Sequence, residues 1–237
     1  MRSGTTLLTH LLTTNPDVIG YGETHTNYTD ASDFKTLLKK VYWQAQDFRR
    51  LGDVQNLRMN HQYVMDKVLH NKKFLNSDFL QSEQVYVIFL LREPERSLAS
   101  IADLNPHWSQ QDTIEYYGKR MAMLVNYARL INTPKRLLVV TYEQMLDNTP
   151  QVLTRLQQFL QTPTPFTEEY KVLKTTGMKG VGDPKGKIKA GKIVRSQRQL
   201  SQSFPAELVA SANQIHHDCQ AALVELCQSV DTAIDEN

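Results

Sequence analysis

Two uninterrupted apolar segments constrain the fold of this chain more than any other feature. They are VYVIFLL, from Val85 to Leu91, and LLVVTY, from Leu137 to Tyr142. Their content of β-branched residues predicts strands that are buried on both faces, as in a parallel sheet. A helical pattern follows each of them. The alternation predicts a three-layer α/β domain, with a mostly parallel sheet between two layers of helices.

Apolar residues at helical spacing, with proline near several helix starts, predict the flanking helices. The predicted elements are helices at Thr5 to Thr14, Phe34 to Arg50, after Pro94, Thr113 to Ile131, from Thr149-Pro150 onward and Pro205 to about Ala233, and a short strand within Gln62 to Val68. Nothing between these elements resembles a linker, so residues 1–237 are interpreted as one domain.

Charge is distributed unevenly along the chain. The formal net charge of +2 argues against a protein that coats nucleic acid. From Lys171 to Arg198, however, seven lysines and two arginines face a single acid, Asp183. Such a segment is either a solvated loop or a clamp for a polyanionic ligand.

The cysteines and the apolar runs bear on the compartment. Cys219 and Cys227 are eight residues apart in one predicted helix, two turns from each other, so they cannot form a disulfide. Reduced thiols favour a reducing compartment, and a cytoplasmic location is predicted. No apolar run reaches the ~18 residues that span a bilayer, so no membrane segment is evident.

The opening residues RSGTT have the chemistry of a phosphate site. Amides at a helix start are unpaired and attract anions, a glycine allows close approach, and hydroxyl groups add donors. An ordinary capped helix would also explain the pentapeptide. The loop of nucleotide triphosphatases has a second glycine and a lysine that are missing here, which counts against a small-molecule kinase.

A second phosphate signal is LLREPERSLASI, where Arg92 ends a predicted strand and Ser97 and Ser100 follow on a helix. The alternative is a surface ion pair of Arg92 with Glu93 or Glu95. Ligands of open α/β sheets bind beyond the carboxyl ends of the strands. Two sites at that edge indicate a nucleotide with phosphates at two separate positions.

Four segments, in order, resemble the sulfotransferase family, whose donor is 3′-phosphoadenosine 5′-phosphosulfate (PAPS). They are RSGTTLL, LREPERSLAS, LLVVTYEQMLDNTPQVLTRLQQFL and GDPK. The first is similar to the arginine-containing loop of bacterial, tyrosylprotein and Golgi members. The resemblance implies a P-loop-like fold, sulfuryl transfer to a small-molecule or glycan hydroxyl acceptor, release of adenosine 3′,5′-bisphosphate (PAP) and no metal.

The resemblance also implies roles for individual residues. The 5′-phosphosulfate would be held by Arg2, Ser3, Gly4, Thr5 and Thr6, the 3′-phosphate by Arg92 and Ser100 with Lys185 alongside, and the adenine by Tyr142. In relatives a central strand ending in proline precedes the RSGTT segment. Met1 stands where that proline would be, so we expect this strand to be lacking upstream of residue 1.

The general base is the remaining question. Glu23, 21 residues after Arg2, is the first choice by resemblance to the Gly-Glu segment of relatives, and His25 could substitute for it. Lys67 resembles a lysine that contacts the transferring group, while His70 lies near the position of the histidine base of cytosolic members. A surface position is the alternative for Glu23 and Lys67. Small-molecule kinase activity and nucleotide binding without catalysis are the alternative functions.

Overall fold

The computed structural model describes residues 4–45, 59–69, 75–173, 176, 186–195, 200 and 202–231. The helices in these ranges are α1 (Thr5–Thr14), α2 (Asp33–Ala45), α3 (Ser77–Gln81), α4 (Pro94–Leu104), α5 (Gln110–Ile131), α6 (Tyr142–Asp147), α7 (Thr149–Leu160) and α8 (Ala206–Leu226). The strands are β1 (Val18–Ile19), β2 (Tyr63–Val64), β3 (Val87–Leu91), β4 (Leu137–Thr141) and β5 (Gln228–Ser229). Short 3₁₀ turns lie at Pro134–Arg136 and Lys187–Ala190.

The five strands of the described ranges pair in parallel and form two sheets. One has the order β1-β2, the other β3-β4-β5. The longest ladder joins β3 to β4 and runs from the pair Val87 and Leu137 to the pair Leu91 and Thr141. This register brings the carboxyl ends of β3 and β4 side by side, where the chain continues into Arg92 and Tyr142.

Helices cover both faces of the larger sheet, which confirms the predicted three-layer α/β class. Alternate residues of β3 and β4 enter two separate cores because side chains of a strand point to opposite faces. Phe89 and Val139 pack in a core with helices α5 and α8. Leu90 and Leu138 pack in the other core, together with α1 and α7.

The predicted elements differ from the observed ones mainly at their ends. Helix α1 has the predicted bounds. The predicted short strand within residues 62–68 is confirmed, since β2 covers Tyr63–Val64. Helix α2 is described as far as Ala45, and residues 46–50 of its predicted range lie outside the described residues.

The predicted end of the terminal helix, near Ala233, is wrong. Helix α8 ends at Leu226 because the chain turns extended at Cys227 and then pairs with β4 through Gln228 and Ser229. This parallel bridge gives β4 a second neighbour and brings the C-terminal segment onto the sheet.

A cavity of about 620 Å³ lies between the two sheets. Its lining includes residues 62–69 and 84–90, together with Thr5 and Leu8 of α1 and side chains of α2, α3 and α5.

Both cysteines are free and buried, as the sequence predicts. Burial raises the pKa of the Cys219 and Cys227 thiols to about 12. Neither thiol is therefore a reactive nucleophile at neutral pH. Within the described ranges, no helix is long and apolar enough to cross a membrane.

Candidate functional site

The amino end of helix α1 forms the first part of the site. Gly4 caps the helix with φ +90°, in the left-handed region that favours glycine. The amides of Thr5 and Thr6 follow in the first turn, where the helix itself offers no acceptor for them. These N–H groups carry the positive end of the helix dipole, so an anion is stabilised there.

Arg92 and Tyr142 form the second part, at the carboxyl ends of β3 and β4. The Cζ atom of Arg92 lies 4.7 Å from the centre of the Tyr142 ring, a cation–π contact. Arg92 is only 9% exposed, and its carbonyl oxygen accepts a hydrogen bond from the Ser97 hydroxyl. Glu93, which could have paired with Arg92, instead forms an ion pair with Arg96 at 2.9 Å.

The Tyr142 ring connects these two parts. A Cβ atom added to Gly4 would lie 2.1 Å from Cδ2 of Tyr142, so the ring occupies the space that any larger residue would need. The same ring stacks on Arg92. Thus the predicted 5′ and 3′ phosphate sites are joined through a single side chain.

Glu23 and Lys67 form the third part. Oε1 of Glu23 lies 3.8 Å from Nζ of Lys67, and Oε2 lies 3.7 Å from Nδ1 of His25. The Glu23 and Lys67 side chains are 14% and 9% exposed, whereas His25 is 66% exposed. The surface alternative for Glu23 and Lys67 is therefore wrong, and the shielding strengthens their electrostatic interaction.

Lys67 also borders the cavity between the sheets, as does Thr5 from the first turn of α1. Lys67 and the first turn of α1 consequently border one cavity.

Of the remaining predicted site residues, one is buried within a helix and four lie outside the described residues. Ser100 is only 1% exposed within helix α4. The residues outside the described ranges are Arg2, Ser3, His70 and Lys185. Among the described residues, no three His, Cys, Asp or Glu side chains are grouped to hold a metal ion.

Sequence reasoning missed a polar cluster beneath the Glu23–Lys67 pair. The Asp66 carboxylate accepts hydrogen bonds from Thr24 and Tyr28, and Lys40 donates to the Thr24 carbonyl at 3.2 Å. Burial, followed by the charge of Asp66, raises the pKa of Tyr28. The only signal in the sequence was the position of Asp66 directly before Lys67.

Comparison with known proteins places the chain in a family. Residues 1–168 match the model of the sulfotransferase family named Sulfotransfer_3. No curated protein matches the sequence.

Solved structures with a similar fold include the sulfotransferase domain from the curacin biosynthetic pathway. It has a TM-score of 0.60 and 19% identity, covering 90% of this chain and 94% of that one. Mouse sulfotransferase SULT7A1 complexed with PAP has a TM-score of 0.45 and 13% identity, covering 92% of this chain and 80% of that one. With the family match extending over residues 1–168, this chain belongs to the sulfotransferase family.

Proposed function

We propose that this sulfotransferase moves the sulfuryl group of PAPS to a hydroxyl group of a small molecule or glycan. The acceptor oxygen attacks sulfur, the bond between sulfur and the 5′-phosphate oxygen breaks, and PAP leaves. Glu23 takes the proton of the acceptor hydroxyl.

The observation that carries this proposal is the contact of one ring with both candidate phosphate sites. Tyr142 fills the space above Gly4 and stacks on Arg92. A nucleoside phosphorylated at its 3′ and 5′ carbons needs two anion sites separated by one nucleoside, with an apolar surface between them. The α1 terminus, the Tyr142 ring and the Arg92 guanidinium supply these three features.

The Glu23–Lys67 pair supports the chemical step. A carboxylate within reach of the acceptor hydroxyl contributes about 10²- to 10⁴-fold as a general base. The Lys67 ammonium supplies positive charge where negative charge develops on the transferring group and the leaving oxygen. His25 is exposed and next to Glu23, so it is a second candidate for the base.

The test uses purified protein, labelled PAPS and a panel of hydroxyl acceptors. Once an acceptor is found, the Glu23→Gln variant should lower kcat by about 10²- to 10⁴-fold, because the proton acceptor is lost. Its affinity for PAP should stay within about twofold of wild type, since Glu23 is not part of the phosphate sites.

Glu225 offers a matched control, because it is an exposed glutamate on helix α8. Glu225→Gln should leave both kcat and PAP affinity unchanged. Full activity of Glu23→Gln would remove Glu23 from the mechanism. PAP binding without transfer to any acceptor would favour the non-catalytic alternative.

A further inference from the structure

The Asp66 carboxylate has every acceptor position occupied by a partner within the protein. Oδ1 accepts from the amides of Thr24 and Lys67, both at 2.8 Å. Oδ2 accepts from the Thr24 hydroxyl at 2.6 Å and from the Tyr28 hydroxyl at 2.5 Å. With two donors on each oxygen, this carboxylate cannot accept a further hydrogen bond from the hydroxyl group of a sulfuryl acceptor.

These bonds join two chain segments immediately beside the candidate catalytic pair. Thr24 follows Glu23 in the chain, and Lys67 itself donates its amide to Asp66. Thr24 and Tyr28 are 5% and 2% exposed, so the bonds lie away from water, where charge-assisted hydrogen bonds are strong.

The Asp66 carboxylate joins the two segments next to the last backbone hydrogen bonds between them. The ladder of β1 and β2 continues past the strands through the bond from the Met65 amide to the Ile19 carbonyl. The Lys67 amide then donates to both the Gly22 carbonyl and Asp66 Oδ1, as a bifurcated bond. Gly22 then turns the chain with φ +130°. Beyond this point the side chain of Asp66 connects the two segments.

Lys40 strengthens the same connection from helix α2. Its ammonium donates to the Thr24 carbonyl at 3.2 Å and to the Thr26 hydroxyl at 2.9 Å. Thr24 is thereby fixed on its amide, its hydroxyl and its carbonyl. A residue held at three groups gives its neighbour Glu23 a defined backbone position.

We propose that Asp66 is a positioning residue for sulfuryl transfer, which holds the Glu23 carboxylate and the Lys67 ammonium at the separation that the reaction needs. This inference rests on the proposed function. Asp66 neither takes the proton nor touches the nucleotide, and it acts through the two residues beside it.

Asp66→Asn is the direct test, because asparagine keeps the size of the side chain but replaces one acceptor oxygen by a donor. We expect kcat to fall about 10- to 100-fold, as for a displacement of about 1 Å at a reacting group. PAP affinity should remain within about twofold of wild type. A kcat within about twofold of wild type would overturn the proposal.

A double-mutant cycle distinguishes positioning from general stabilisation. Because Asp66 acts through Glu23 as well as Lys67, Asp66→Asn should reduce kcat by a smaller factor in the Glu23→Gln background than in the wild-type background. A cost equal to that in the wild-type background would contradict the inference.

Asp33 provides a matched control. Its carboxylate also accepts from a threonine amide and hydroxyl, those of Thr29 at 2.6 and 3.0 Å, on the same connection to α2 but away from Glu23. Asp33→Asn should leave kcat within about twofold of wild type. A loss of kcat as large as that of Asp66→Asn would mean that any hydrogen bond holding the segment before α2 affects catalysis. That result would overturn the specific role of Asp66.

A structural readout keeps this inference separate from the proposed function. In a crystal structure of Asp66→Asn, the 3.8 Å separation of Glu23 Oε1 and Lys67 Nζ should widen by more than about 1 Å. An unchanged separation would overturn the inference even if transfer is active. Absence of transfer in the wild type would instead overturn the proposed function. If Asp66→Asn does not fold, Thr24→Val removes one of the four bonds and is judged by the same separation and the same activity ratio.

Discussion

At the scale of single residues, Gly4 has three physical reasons to be glycine. The sequence suggested only the first, the close approach of a phosphate to a helix start. The structure adds the Tyr142 ring, which lies where a Cβ atom would be, and a left-handed backbone at φ +90°. A side chain at position 4 therefore disturbs the helix start and the ring together.

Gly4→Ala should weaken nucleotide binding without unfolding the protein. The Cβ atom displaces the Tyr142 ring from its contact with Arg92, and the left-handed conformation costs about 1–2 kcal/mol of stability. We expect the Kd for PAP, measured by calorimetry, to rise about tenfold, which corresponds to about 1.4 kcal/mol of lost interaction.

Gly118→Ala is the control for this substitution. Gly118 lies in the middle of helix α5, and its added Cβ would meet Cδ1 of Ile215 at an ordinary 3.5 Å. Alanine has the higher helix propensity, so this variant should be at least as stable as wild type and should bind PAP normally. If Gly4→Ala also binds normally, the α1 terminus is not part of the nucleotide site.

At the scale of secondary structure elements, predictability depended on how local the determining contacts are. Helix α1 follows from its leucine spacing and from Asn15-Pro16, which lie next to one another in the chain. Strand β5 has two polar residues and no pattern, and exists only through pairing with β4 about 90 residues away. The Asp66 bonds to Thr24 and Tyr28 likewise span about 40 residues and leave no periodic trace.

The packing of α5 on α8 carries a pH dependence. His216 of α8 is hydrogen-bonded to the buried Tyr117 hydroxyl of α5 at 3.1 Å. Burial lowers the pKa of His216 below its ordinary value of 6.5. The unfolded chain therefore binds a proton first as the pH falls, and the free energy of unfolding decreases from about pH 7 towards pH 5.

Chemical denaturation at several pH values measures this dependence. His216→Gln, which retains a hydrogen-bonding group for Tyr117, should flatten the decrease. His217→Gln should not, because the His217 side chain is 78% exposed. Equal slopes for wild type and His216→Gln would show that other groups cause the acid sensitivity. His61 is one such group, since burial lowers its pKa as well.

At the scale of the whole molecule, ligand binding should stabilise the fold through elements that are distant in sequence. The candidate phosphate sites belong to α1, to the end of β3 and to the end of β4, which meet the two cores on opposite faces of the sheet. A ligand that contacts all three elements binds the folded state alone and raises Tm by mass action.

PAP at about 100 times its Kd should stabilise the protein by about 2.7 kcal/mol. For a chain of this length that corresponds to a Tm increase of about 5–10 °C in a thermal-shift assay. ADP at the same concentration should give a smaller shift, because it has no 3′-phosphate to interact with Arg92. Because ADP also differs from PAP in its 5′-diphosphate, variants of single arginines are needed to assign the part of this difference that comes from the Arg92 site.

Arg92 and Arg96, four residues apart after β3, separate recognition of the 3′-phosphate from a general effect of positive charge. Arg92→Ala should reduce the difference between the PAP and ADP shifts, since the guanidinium stacked on Tyr142 is removed. Arg96→Ala should preserve the difference, because that guanidinium is already paired with Glu93 at 2.9 Å. If Arg92→Ala leaves the difference between the PAP and ADP shifts unchanged, the second phosphate is not recognised by Arg92. The two sites at the ends of β3 and α1 would then not hold one nucleotide.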